Sequence, residues 1–123
     1  MDAQVNGIKL ILPFPLSANA IWRTAGNRTY STDKAKDYRA RVRWIALAAK
    51  VKPMAGPVTV SVTAYRPRKR GDIDNLLKAT LDALNGVAYA DDSQVIELHA
   101  LRLDDAANPR IVVTIEPNPS FRI

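Results

Sequence analysis

The chain contains no cysteine. Disulfides, thiolate zinc sites and cysteine nucleophiles are thereby excluded. It also lacks any apolar run long enough to span a membrane. The early run from Ile8 to Leu12 is broken by Pro13 and Pro15. The opening does not read as a signal peptide, because Asp2 stands where a basic start would be needed. There are no internal repeats and no linker that would divide domains. These absences lead to the expectation of a soluble, cytoplasmic protein with no membrane partner and no small-molecule cofactor.

What is present points one way. With 123 residues, the chain suits one domain over 1–123 with a proper hydrophobic core, and 117–123 as a frayed tail. Apolar residues make up 47%, which argues against disorder. Eighteen Lys and Arg stand against twelve Asp and Glu, for a net charge of +6. That balance favours a polyanionic partner, or at least a solvated basic face. Most of the cations are arginine, the better residue for bidentate phosphate contacts.

The pattern along the chain predicts an α+β fold in the order β-α-β-α-β-β, a mixed sheet with both helices packed on one face. Ile8 to Leu12 reads as a short strand. Residues 15–31 read as a polar loop carrying Ser17, Asn19, Trp22, Arg23, Asn27, Arg28 and Tyr30, and loops of that length are often functional. Ser31 or Thr32 can cap a helix running to about Lys50. Its core face would be Tyr38, Val42, Ile45 and Ala49, with Trp44 also expected inside. Lys36, Arg39 and Arg43 form a cationic stripe on another face. Val58 to Tyr65 alternates as a strand. A second helix spans about Asp74 to Asn85, with Leu76, Leu77, Leu81 and Leu84 toward the core and Asn85-Gly86 as its C-cap. Val95 to Leu103 and Arg110 to Ile115 read as two strands of a hairpin joined around Asn108-Pro109.

The chemistry concentrates between Arg66 and Lys78. The basic run Arg66, Arg68, Lys69 and Arg70 leads into Asp72 and Asp74, with Lys78 four residues later and Asp91-Asp92 one helix further on. Cations that can grip phosphates lie beside anions that can grip a metal. A protein that cuts a nucleic-acid backbone needs both. One that only binds nucleic acid gains little from aspartates that repel phosphates. In an extended segment Asp72 and Asp74 leave the same side of the backbone and can hold a hard divalent cation. Each residue alone also has a plainer explanation. Asp74 fits a helix N-cap, Lys78 can pair with Asp74, and Asp91-Asp92 can form an ordinary turn. Geometry allows the set to converge. The helix is roughly 16 Å long at 1.5 Å per residue. The seven residues from Gly86 to Asp92 can reach back along about 24 Å. Asp92 can then join Asp72 and Asp74 around a metal that polarises a phosphodiester, with Lys78 offsetting developing charge. His99, the only histidine, falls within a strand and reads as structural. Trp22, beside Arg23, can stack on a base or pack over the core.

Three pieces of the sequence resemble the RusA family of Holliday-junction resolvases, found in bacteria and their prophages. Leu12-Pro13-Phe14-Pro15-Leu16-Ser17-Ala18-Asn19, followed by Trp22-Arg23 and Tyr30-Ser31, is similar to the family's proline-rich opening ending in Ser-x-Asn. Asp72-Ile73-Asp74-Asn75-Leu76-Leu77-Lys78 matches its Asp-x-Asp-Asn-x-x-Lys. Leu81 to Gly86, leading into Asp91-Asp92-Ser93-Gln94-Val95, is similar to its Asp-Asp-x-Gln-Val. The match covers about Leu10 to Asp104. Two departures stand out: Leu16 replaces a usual proline, and Gly71 stands where some members carry arginine.

The resemblance implies a catalytic centre of Asp72, Asp74, Asp92 and Lys78, with Asp91 beside it among the metal ligands. It also implies Mg²⁺ as cofactor (Mn²⁺ as a substitute) and a structure-selective endonuclease that cuts four-way DNA junctions by paired incisions. One chain holds a single acidic set, so two opposed cuts call for a homodimer. The expected nucleic-acid contacts are Arg66, Arg68, Lys69, Arg70, Arg23, Arg28, Arg39, Arg43 and Asn19. Read without the resemblance, the residues reach only a metal-dependent nuclease on a basic surface. A non-catalytic DNA-binding module and a nuclease acting on other branched nucleic acids stay open beside it.

Overall fold

Strict alternation in three strands builds the apolar floor of the molecule. The computed structural model describes residues 7–15, 22–25, 28–31, 33–67 and 73–118; for 22–25, 28–31, 33–34 and 73–75 the description is of the backbone. The elements are β1 (Ile8–Pro13), β2 (Trp22–Ala25), β3 (Arg28–Ser31), α1 (Asp33–Ala48), β4 (Val58–Arg66), α2 (Ile73–Leu84), β5 (Val95–Asp104) and β6 (Arg110–Pro117). Four strands form one mixed sheet in the order β1-β6-β4-β5, in which β4 and β5 are parallel and the other neighbours antiparallel.

The register lines up Leu10 with Val113 and Leu12 with Ile111, and on the other side of β6 Val60 with Ile115 and Val62 with Val113. All of these are buried on one face. Their odd or even partners (Ile11, Thr59, Ser61, Thr63, Thr114) lie on the other, as a period of two requires. The helices supply the second layer: Tyr38 and Val42 from α1, and Leu76, Ala83 and Leu84 from α2, join the same core. Fully burying each such aliphatic side chain contributes on the order of 1.5–3 kcal/mol. Tyr38 also donates a 2.8 Å hydrogen bond to the Pro13 carbonyl, tying α1 to the end of β1. The α+β architecture, with both helices on one face, is the one the sequence predicts.

Several local expectations need correction. β5 and β6 do not form a hairpin; β4 lies between them. β4 has the fullest apolar alternation and takes the centre. β5 carries Glu97, His99, Arg102 and Asp104, which suit an edge. Its link to β4 is a crossover through α2, the connection that parallel strands require. Trp44 is 71% exposed rather than in the core. The inward face of α1 is set by Ala35, Tyr38, Val42 and Ala46, and Trp44 falls off that stripe, as does the exposed Ala49. The predicted loop 15–31 contains the short hairpin β2–β3. Pro117 closes β6, and Asn118, expected in a frayed tail, is buried. Its Nδ2 donates to Thr59 Oγ1 at 2.9 Å and Glu97 Oε1 at 3.0 Å. Residues 119–123 lie outside the described residues.

The segment from β5 to β6 passes the end of β4 and is fastened there. Asp105 N donates to the Arg66 carbonyl at 2.8 Å. Arg66 pairs with Asp104 at 2.8 Å, and Arg110 with Asp105 at 2.8 Å. The Arg110 guanidinium also lies 3.9 Å from the centre of the Tyr65 ring. The hydrogen bond from Arg110 holds the Asp105 carboxyl below the usual aspartate range. A lowered folded value means stability present above the unfolded pKa and lost as pH falls through the folded one. Asp105→Asn is expected to lower the melting temperature at pH 7. The gap from the parent protein should close as pH drops below about 4, where an ordinary aspartate protonates. A gap that stays constant with pH would show that the carboxylate charge contributes nothing here.

Candidate active site

Helix α2 carries Asp74, Lys78 and Asp82 at intervals of four, a spacing that puts them along one helix face. The helix ends at Gly86, whose φ of 77° is the left-handed conformation that a helix-ending glycine adopts without strain. The chain then doubles back. Val87 N and Ala88 N both donate to the Leu84 carbonyl, at 2.9 and 3.0 Å, and Gly86 N donates to the Tyr89 carbonyl at 2.7 Å. Tyr89 is fully buried, and its hydroxyl donates to the Leu81 carbonyl at 3.1 Å. The return is therefore anchored against the helix before the acidic pair is reached.

Asp91 and Asp92 follow at the start of a short 3-10 turn, Asp92–Gln94. Asp91 caps it, accepting from Ser93 N at 3.0 Å. Gln94 completes the box. Its Oε1 accepts from Ala90 N at 2.8 Å and Asp91 N at 3.0 Å, while its Nε2 donates to the Met54 and Gly56 carbonyls, each at 2.8 Å. One amide thus fixes the loop on both sides. Asp91 serves partly as a structural cap. Asp92 is exposed.

The electrostatics show which groups share this place. Burial pushes the Asp82 carboxyl up; Lys78 pulls it down, Asp92 pushes it up, and Arg39 pulls it down. The Tyr89 phenol is raised by burial and then by Asp92, Asp82 and Asp91. The hydrogen bonds from Ser93 hold Asp91 low. Asp82 is therefore the group that Lys78 of its own helix, Asp92 of the return loop and Arg39 of α1 all reach. Lys78 and Asp92, both expected in the site, each act on the Asp82 carboxyl. Asp82 belongs to the same group but was not predicted. The signal was available: it lies four residues beyond Lys78 and eight beyond Asp74.

The other predicted residues divide by location. Asp74 belongs to the first turn of α2 by its backbone. Asp72, Arg68, Lys69, Arg70 and Asn19 lie outside the described residues. Arg23 and Arg28 fall on β2 and β3, where Arg23 opposes Tyr30 and Arg28 opposes Ala25. Arg39 and Arg43 project from α1 as the cationic stripe requires, Arg43 exposed and Arg39 half-buried. Arg66 was expected among the phosphate contacts. Its side chain is only 11% exposed and is committed to Asp104, so it fastens β4 to β5 instead. His99 is exposed and pairs with Glu97 at 2.8 Å.

Among the described residues, no three acidic, histidine or cysteine side chains converge closely enough to hold a metal ion. Asp82, Asp91 and Asp92 each act on the Tyr89 phenol, and all three offer carboxylate oxygens. Such oxygen donors fit a hard divalent cation, and a complete ligand set would draw on Asp72 and Asp74 as well.

A carboxylate group flanked by lysine and arginine, on a basic α+β scaffold, is the arrangement of a phosphodiester-handling protein. The family model for Endodeoxyribonuclease RusA matches residues 13–116, and the chain belongs to that family. Among its relatives is the crossover junction endodeoxyribonuclease of Enterobacteria phage HK97. The two are 34% identical over 101 residues, 80% of this chain and 84% of that protein. The crossover junction endodeoxyribonuclease RusA of Escherichia coli strain K12 is 32% identical over 114 residues, 90% of this chain and 95% of that protein. The corresponding protein of Enterobacteria phage 82 is 31% identical over the same length and shares.

The Gln94 clamp yields a direct test. Gln94→Glu keeps the two acceptor contacts but replaces the donating amide with a carboxylate facing the Met54 and Gly56 carbonyls. Leaving such groups unsatisfied costs about 1–3 kcal/mol, and the melting temperature should fall by several degrees. An unchanged thermal transition would show that the clamp does not hold the loop.

Proposed function

We propose that this protein is a Mg²⁺-dependent, structure-selective endodeoxyribonuclease that resolves four-way DNA junctions by paired, symmetric incisions in the cytoplasm. The observation that carries it is that Lys78, Asp92 and Arg39 all act on the Asp82 carboxyl, in a chain of this family. The relatives' names supply the substrate: crossover junctions. Asp72, Asp74 and Asp92 would hold the metal, with Asp91 alongside, and Mn²⁺ would substitute. When bound, the ion would polarise the phosphodiester and make a water more acidic. Lys78 is exposed on the face of α2 that carries Asp82, and its charge offsets the negative charge that builds on the cleaved phosphate. Asp82 keeps that ammonium over the site. Arg68, Lys69 and Arg70, with Arg23, Arg28, Arg39, Arg43 and Asn19, would contact DNA. The whole chain would act as one domain.

The assembly we infer is a homodimer. Two opposed cuts on a two-fold junction call for two acidic sets, and a closed two-fold pair provides them. Strand β5 offers surface for it. It is a sheet edge, and Ile96, Leu98, Leu101 and Leu103 along it are 38–54% exposed.

Cleavage of a synthetic four-way junction, beside a linear duplex and with or without Mg²⁺, tests the reading. Cutting confined to the junction and to the metal-containing reaction is expected. Junction binding with no cutting at any metal concentration would favour a non-catalytic DNA-binding module. Asp72→Asn, Asp74→Asn and Asp92→Asn should each abolish cutting while keeping junction affinity. Any one that cuts at the parent rate is not a ligand. Lys78→Ala should retain its melting temperature and junction affinity and lose most of the cleavage rate; normal cutting would return Lys78 to a solvated helix face. Sedimentation at micromolar concentration, with and without junction DNA, should show twice the chain mass. A particle of monomer mass in both conditions would contradict the paired-incision scheme.

A further inference from the structure

Helix α1 and the end of α2 enclose an open groove of about 440 Å³, lined by Lys36, Arg39, Arg43, Trp44 and Leu47 together with small and polar residues of the α2 end. Its volume is that of small-ligand clefts. Trp44 is 71% exposed and Leu47 59% exposed, so neither is needed by the core. Among the described residues, no acidic one lines the groove. None of the salt bridges between described residues engages Lys36, Arg39 or Arg43. Lys36 and Arg43 are separated by seven residues of helix, roughly 10 Å along the axis, with Arg39 between them. Arg39, in the middle of this row, also acts on Asp82, the neighbour of the groove-lining Ala83.

We propose that this groove takes an unpaired nucleotide of a DNA strand, its base against the Trp44 indole and its flanking phosphates on Arg43, Arg39 and Lys36. This deepens the reading given under the proposed function and rests on it. An aromatic face beside a row of cations is the combination that binds single strands. A base inside a duplex offers no free face to an indole, so the groove selects strands that are open, as at a branch point. A second copy of the chain is the poorer occupant. A two-fold contact through the same patch would set Lys36, Arg39 and Arg43 against their own copies. The groove also gives the strand a direction: a nucleotide held at Trp44 leaves the backbone running past Arg39 toward Lys78 and Asp92. Trp44 acts in positioning the strand, not in the chemistry.

The experiment measures binding of a short oligothymidylate, a linear duplex and a four-way junction to the full chain and to Trp44→Phe and Trp44→Leu, alongside junction cleavage. Trp44→Leu should weaken oligothymidylate binding about tenfold, the scale of one lost base–aromatic stack, and leave duplex binding unchanged. Trp44→Phe should restore most of the affinity. Cleavage by Trp44→Leu should fall at low junction concentration and recover at saturation. In a Trp22→Phe background, Trp44 fluorescence should be quenched by oligothymidylate and not by duplex. Arg43→Gln should reduce the slope of log affinity against log salt by about 0.7 for the single strand. If the parent protein binds and cuts the junction while Trp44→Leu matches it on every strand, this inference falls and the proposed function stands. If the parent protein binds no DNA at all, both fall. A Trp44 signal that changes with protein concentration alone would assign the groove to a second copy and overturn the proposal.

Discussion

The side-chain amide of Gln94 ties together two segments that the sheet alone would leave loose, the acidic turn at 90–94 and the approach to β4 at 54–56. Its four hydrogen bonds use both donors and the oxygen of one group. A carboxylate cannot donate to the two carbonyls, and an aliphatic chain can satisfy neither side. The position of Asp92 follows from this, because the residue lies between Asp91, whose backbone N–H bonds to Gln94, and Gln94 itself. The buried Tyr89 secures the preceding turn from below. Together they convert a seven-residue return into a fixed platform facing α2, and the placement of a charged side chain is inherited from neutral ones.

The sheet sets the second constraint. Its core face is closed by two helices, and the cover does not extend to β5, where nine of ten residues are exposed. A parallel edge strand joined to its neighbour through α2 has its position fixed by that helix, and α2 is the element that carries Asp74, Lys78 and Asp82. The acidic group belongs to one crossover unit: α2 carries Lys78 and Asp82, and the return to β5 carries Asp91 and Asp92. Arg66 and Asp104 lock the far end of the same unit.

Much of this was legible in the sequence. The alternation of Val58 to Ala64 and of Ile111 to Ile115 gave both strands and their inward faces, and the four-residue spacing of α2 with Asn85-Gly86 after it gave that helix and its end. Expectation failed where tertiary arrangement overrides proximity along the chain. Two adjacent strands read as a hairpin, yet the valine-rich β4 separates them, because centre positions go to the strands with the most inward apolar surface. Trp44 was assigned to the core by composition, whereas only its angular position on α1 decides its exposure. Asp82 was overlooked because its one local signal, the four-residue spacing from Lys78, is easily read as an ordinary helix-surface pair; its place emerges only once the return loop is packed beside it. Arg66 shows the converse case, a residue whose membership in a basic run suggested phosphate and whose neighbour in the next strand claimed it.

An acidic group on a chain of net charge +6, in a family of endodeoxyribonucleases, poses a problem of its own, and the arrangement of cations answers it. Uncompensated carboxylates would repel the phosphate that they must approach. Here Lys78 and Arg39 both pull the Asp82 carboxyl down while burial and Asp92 push it up. The field at Asp82 is therefore mixed instead of uniformly negative. Along α1 the groove is lined by the cations Lys36, Arg39 and Arg43, and among the described residues no acid lines it. Exposed charges lose most of their influence beyond about 8–10 Å at ordinary ionic strength. A phosphate travelling along α1 would thus feel the cations first and the carboxylates only at close range, where a bound metal would reverse their sign. The order of charges along α1 and α2 makes a strand's approach and the acidic centre compatible, and it depends on Arg39 occupying the boundary between them.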